Sequence, residues 1–135
     1  MRVETTPIMN ETHYQNMIRH ETEAFIKASR TQTEALDPAH PFRLWLDLVE
    51  HLLVERPLPS ERLSEAVCSL FTHFGEMTPL FPRDVLYLLG GECLHYMPDE
   101  EISAYQELDE LRFSAEDQGK AFSWAQAKEA LKKLQ

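Results

Sequence analysis

The chain has 135 residues, 43% hydrophobic and 27% charged, a balance too apolar for a disordered segment and too polar for a membrane protein. Its length suits one domain that buries on the order of two thirds of its unfolded surface. Thirteen basic residues against 23 acidic ones give a formal net charge of −10, a field that repels phosphate backbones and anionic lipid, so neither nucleic acid nor membrane is an expected partner.

The opening segment "MRVETTPIMNETHYQ" carries Glu4 and Glu11 and no continuous apolar core, which predicts neither a secretory signal nor a transit peptide. No run approaches the roughly 20 apolar residues of a membrane span. Cys68 and Cys93 are too few for a disulfide framework and are expected as reduced thiols in a cytoplasmic protein. Residues 1–9 are expected to form a flexible tail.

Between Pro7 and Pro38 there is no proline or glycine, and Tyr14, Met17, Ile18, Phe25 and Ala28 recur at helical spacing, predicting a helix from about 10 to at least 30. Asn10 is its expected N-cap, and beyond Ser29 the apolar stripe fades, so the last turns are expected to be exposed. "PFRLWLDLVEHLLVER" presents Phe42, Trp45, Leu46, Val49, Leu52 and Leu53, widened by Leu44 and Leu48, as befits a nearly central helix. Ser60 is the expected N-cap of "ERLSEAVCSLFTHF", with Leu63, Ala66, Val67, Leu70, Phe71 and Phe74 inward and Gly75 at C′.

Pro82 is placed to open a further helix. "PDEEISAYQELDELRF" starts another with three acids in its first turn and Ile102, Tyr105, Leu108 and Leu111 at helical spacing. "SAEDQGKAF" reads as a loop around Gly119, and Ser123 with Gln126 has capping-box spacing ahead of Trp124, Ala127, Leu131 and Leu134. No period-two alternation and no Asn-Gly or Asp-Gly hairpin occurs. The expected fold is all-α, a single compact bundle or orthogonal array of about six helices spanning 1–135, without internal repeats.

The stretch "LYLLGGECLHYM" places Gly90 and Gly91 inside an apolar phase: Leu86, Leu89, Cys93 and Met97 share one helical face. That phase predicts one unbroken helix from about 82 to 97, ended by Pro98. Two interior glycines cost about 1 kcal/mol each, which a close helix crossing at Gly90 and Gly91 offsets; a kink or cap, or a gap contacting a ligand, are the alternatives. Glu92 and His95 have the Glu-x-x-His spacing of di-iron bundles, but the motif occurs once where such bundles need it twice. Cys93 points about 100° away from its neighbour Glu92 and joins the core in this reading, with Glu92 and His95 as boundary residues.

His13 and His20 lie about 10 Å apart along a helix, too far to share an ion, and no GxGxxG, Walker loop, GxSxG, HExxH or CxxC occurs. No catalytic residue, metal ligand or cofactor is assigned. Around "FPRDVLYLLGGECLHYMPDEEI" the chain resembles a set of small bacterial proteins of unassigned function; the likeness covers the central half of the chain, implies no activity, and favours a bacterial cytoplasm.

Acids crowd "DEEISAYQELDELRFSAED", where Arg112 is the one basic residue. A solvated helix face explains them, and so does an acidic docking surface for a basic protein partner, formed by Asp99, Glu100, Glu101, Glu107, Asp109 and Glu110. The leading expectation is a non-enzymatic interaction or regulatory module, with a homodimer through the first helix as a further option because that helix has only a partial stripe. The alternatives are a metal- or thiol-dependent enzyme centred on Glu92, Cys93 and His95, and an inhibitor that mimics nucleic acid.

Overall fold

A computed structural model describes residues 11–134. The expected tail over residues 1–9 and the Asn10 cap lie outside the described residues. The order is α1 (Glu11–Gln32), α2 (Pro41–Leu53), α3 (Ser60–His73), a 3₁₀ segment Gly75–Leu80, α4 (Arg83–Leu89), a second 3₁₀ segment Gly91–Tyr96, α5 (Asp99–Asp117) and α6 (Trp124–Leu134). No strand occurs among the described residues, so the all-α expectation and its six α-helices hold. None of these helices is long and apolar enough to cross a membrane.

The helices fall into two compact units, Gln15–Met97 and a second made by Pro98–Gln135 with the start of α1 through Tyr14. In the first, Ile18, Phe25 and Ile26 of α1 join Trp45, Leu46 and Val49 of α2 and Leu63, Val67 and Leu70 of α3 in the core. Phe81 follows the first 3₁₀ segment and meets Phe25 at 5.1 Å and Phe71 at 5.6 Å, both edge-on. The Trp45 indole donates to the Ala66 carbonyl at 2.7 Å, so the largest core side chain also satisfies its one polar atom.

Arg19 was invisible to the apolar pattern. It is buried, and its guanidinium donates to the Leu53 and Glu55 carbonyls at 3.0 and 2.9 Å. These are carbonyls at and just beyond the end of α2, where a helix leaves acceptors unpaired and favours a cation. Thr22 and Ser29 are buried too, so the inward stripe of α1 runs Ile18, Thr22, Phe25, Ile26, Ser29, and the helix stays packed further along than its apolar residues suggested. Ala28 faces outward.

Several local expectations need correction. Leu44 and Leu48 are about half exposed, at 52% and 51%, so α2 is one-sided rather than central. Its N-cap is His40, whose Nδ1 accepts from the Phe42 N–H at 3.1 Å. Pro59 takes the N-cap position of α3 with Ser60 already inside the helix; Phe74 is the C-cap and Gly75 follows at C′ as expected, without a positive φ. α5 runs four residues into the predicted loop, to Asp117, and the chain around Gly119 is non-helical as expected. It ends in a Schellman arrangement, with Gly119 at φ +65° and the Lys120 N–H bonded to the Ala115 carbonyl at 2.8 Å. Ser123 caps α6 as expected, its Oγ accepting from the Gln126 N–H at 3.2 Å.

The helix expected over 82 to 97 is broken. Gly90 takes φ +67°, ψ −156° and Gly91 φ +54°, a pair of backbone states that only glycine enters cheaply. α4 ends with the Gly90 N–H on the Leu86 carbonyl at 3.1 Å, and the Cys93 N–H on the Gly90 carbonyl, also 3.1 Å, starts the 3₁₀ segment. Nor is there a helix crossing at Gly90 and Gly91. A Cβ on Gly91 would meet nothing within 4 Å, and one on Gly90 only the Tyr87 carbonyl of its own helix at 3.9 Å. The glycines are there for conformation, and the cap alternative is the one that holds.

Gly90→Ala is therefore expected to destabilise the protein by about 1–3 kcal/mol despite open space around it. Gly75→Ala, at a glycine without positive φ and equally unobstructed, should be neutral or stabilise by up to about 1 kcal/mol. Urea denaturation of both variants checks this; equal effects would contradict the conformational account.

Candidate functional site

The break at Gly90 brings the second 3₁₀ segment back against α3. Cys93 becomes fully buried there, with its Sγ 3.3 Å from the Ser64 Oγ and 4.0 Å from the Ser64 carbonyl. Ser64 and Cys68 stand one turn apart on α3 and so share a face. Cys68 is half-buried, one turn beyond the Ser64 hydroxyl and carbonyl that the Cys93 sulfur touches. Thus the only two cysteines of the chain, 25 residues apart in sequence, are neighbours in space.

Ser64, Glu65, Cys68, Glu92, His95 and Tyr96 line a cleft of about 290 Å³ over this thiol pair. A second cleft, about 440 Å³, continues from Ser64 and Glu65 to Ser60, Glu61, Leu89, Gly90 and Gly91. Two supports hold the wall formed by the 3₁₀ segment. The Tyr96 ring packs on Phe71 at 4.6 Å, and Arg83 donates to the Tyr96 carbonyl at 2.9 Å and to the Thr78 carbonyl at 3.4 Å. One side chain of α4 thereby ties both 3₁₀ segments together.

Glu92, Cys93 and His95 do not converge. Glu92 and His95 pair with each other, Nδ1 to Oε2 at 3.4 Å, with side chains 79% and 72% exposed, while Cys93 points into the core. Burial pushes the Cys93 thiol up to about 11, the nearby Cys68 and Glu92 add to this, and the Ser64 hydrogen bond opposes it. The thiol is protonated at neutral pH, and a protonated thiol is neither the nucleophile nor the ligand that such chemistry uses. Among the described residues no group of three or more His, Cys, Asp or Glu is arranged to hold a metal ion.

The second candidate surface lies on α5. Asp99, Glu100 and Glu101 occupy its first turn, where the helix dipole favours negative charge. Glu107 and Glu110 are exposed. Asp109 differs from the other acids. It accepts the Tyr14 hydroxyl at 3.1 Å and lies 3.8 Å from the Arg112 guanidinium. Burial, then Asp109, raises the Tyr14 phenol above its ordinary value, and Arg112 opposes that.

Arg112, the single base of the acidic stretch, is the centre of this unit. It is buried, donates to Glu116 at 2.7 Å, and lies over the Phe113 ring at 3.7 Å and the Tyr14 ring at 4.9 Å. Trp124 completes the cluster, edge-on to Tyr14 at 5.7 Å and stacked near Tyr105 at 6.3 Å. The inward register of α5 is therefore Tyr105, Leu108, Arg112, and Leu111 falls outside, 48% exposed. The isolated base within an acidic run was the available sequence signal for this arrangement.

The Cys93 thiol carries a pH consequence. Its folded value, about 11, exceeds the ordinary 9.0, so the stability gained from the protonated thiol is complete below about pH 9 and is lost as pH rises through about 11. The loss should amount to about 2 kcal/mol. Denaturation midpoints measured from pH 8 to 11 should fall more steeply for the native protein than for Cys93→Ala; parallel curves would contradict the assignment.

A family model described as PA2817-like matches residues 10–135. Comparison with curated proteins and with solved structures returns no match. The resemblance to a small family of unassigned function is thereby borne out. With all but its first nine residues matched, the chain belongs to the PA2817-like family.

Proposed function

We propose that this protein is a non-enzymatic interaction module whose contact surface is the outer face of α5. The observation that supports this reading is the composition of that face. Of 19 residues in α5 only Tyr105, Leu108 and Arg112 are buried, and the exposed remainder combines Glu100, Glu107 and Glu110 with Leu111 and Phe113, 48% and 52% exposed. Large apolar side chains among like charges suit a partner that offers an apolar groove rimmed by basic residues. Such a partner buries Leu111 as its anchor, on the same side of α5 as Glu100 and Glu107, while the carboxylates steer encounter and fix register.

Asp109 takes no part in this contact surface, because its carboxylate is engaged with Tyr14 and Arg112. The first helix is a poorer surface for a second copy, since its stripe is buried and its outer side carries Asn16, His20, Glu23, Ala24, Lys27 and Ala28. The contact is therefore assigned to α5.

Reversal of Glu100, Glu107 and Glu110 to Lys, with helicity unchanged by circular dichroism, should weaken partner capture at least about tenfold and reduce its sensitivity to salt. Leu111→Ser should weaken it without changing the salt dependence, and His95→Ala should leave it unchanged. Capture that survives both the reversal and Leu111→Ser would remove α5 as the contact surface.

A further inference from the structure

We propose that Cys68 and Cys93 form an oxidisable dithiol, a site that hydroperoxides convert to an intramolecular disulfide between α3 and the 3₁₀ segment. The geometry supplies three requirements together. Cys68 lines an open cleft of about 290 Å³ and is reachable from solvent. Cys93 is fully buried against Ser64, one helical turn before Cys68 on the same face of α3. Ser64, one turn before Cys68, holds the Cys93 sulfur with its hydroxyl at 3.3 Å. One thiol therefore meets the oxidant and the other meets only its partner.

The first step oxidises Cys68. Its sulfur, as thiolate, attacks the terminal oxygen of the hydroperoxide; the O–O bond breaks, the second oxygen leaves as water or an alcohol after protonation, and Cys68 becomes a sulfenic acid. In the second step Cys93 first gives up its proton, and the resulting thiolate attacks the Cys68 sulfur. The S–S bond forms, the S–O bond breaks, and hydroxide departs with the Cys93 proton as water. Each thiol loses one hydrogen and the peroxide takes up two electrons.

Because Cys93 is held protonated, the second step is the slow one, and the Cys68 sulfenic acid should persist long enough to be trapped. The bond would tie the segment after Gly90–Gly91 to α3 and close the loop that contains the first 3₁₀ segment and α4. The wall of the cleft, now held by Tyr96 and Arg83, would then be covalently fixed. This proposal concerns the thiol cleft alone and does not rest on the α5 contact surface.

The test treats the reduced full-length chain with hydrogen peroxide. The expected product is a monomer lighter by two hydrogen atoms, with one proteolytic fragment linking Cys68 to Cys93. Its Tm should rise by about 5–10 °C, reversed by dithiothreitol. Dimedone added with the peroxide should label Cys68 and not Cys93. Cys93→Ala should give persistent dimedone labelling of Cys68 and no rise in Tm. Should that variant fail to fold, the native chain still decides. Overoxidised Cys68 or a covalent dimer through Cys68, with Cys93 free to alkylate after unfolding, would overturn the proposal.

Discussion

Everything distinctive about the thiol cleft follows from the backbone at Gly90. With φ +67° and ψ −156° it occupies a region closed to residues with a Cβ, and Gly91 follows at positive φ. These two residues end α4 after seven residues and turn the chain so that Gly91–Tyr96 runs back along α3. Cys93 is buried against Ser64 and Cys68, Tyr96 reaches Phe71, and Glu92 and His95 are left outside. A continuous helix would carry Cys93 about 6 Å beyond Leu89 along its axis, at 1.5 Å per residue.

A second constraint is the placement of the few cations. In a chain of net charge −10, three arginines act inside. Arg19 holds carbonyls at the end of α2, Arg83 joins the two 3₁₀ segments, and Arg112 lies between the Tyr14 and Phe113 rings with carboxylates beside it. A guanidinium can do this because its planar fork satisfies several acceptors at once while its stem packs as hydrocarbon. On α5 the acids that Arg112 does not engage include Glu100, Glu107 and Glu110, which are exposed together with Leu111 and Phe113.

Helical periodicity made most of the fold legible, since apolar residues at spacings of three and four do mark the buried faces of α1, α2 and α3. It failed where a polar residue takes an inward position. Thr22 and Ser29 extend the stripe of α1 without adding to its hydrophobicity, and Arg112 replaces Leu111 in α5. Leu44 and Leu48 show the converse error, because an apolar residue on a helix does not say which neighbours exist to cover it. At the double glycine the pattern misled for a geometric reason. Cys93 and Met97 are both buried, but Met97 stands extended just past the 3₁₀ segment, at φ −121° and ψ 135°, so its burial does not continue a helical phase and the apolar pattern could not reveal the break. The identities of Cys93 as a core thiol and of Glu92 and His95 as outer residues were legible; the adjacency of Cys68 was not, because it depends on how that segment returns to α3.

The most direct measurement on this account is the pattern of amide-to-α-proton contacts across residues 83–97 by nuclear magnetic resonance. The four-residue contacts of an α-helix should continue through Leu89 and be missing from Leu88 to Glu92 and from Leu89 to Cys93, while the Cys93 β-protons contact those of Ser64 and Cys68. An unbroken series of four-residue contacts across Gly90 and Gly91 would contradict the account, and with it the assembly of the thiol cleft.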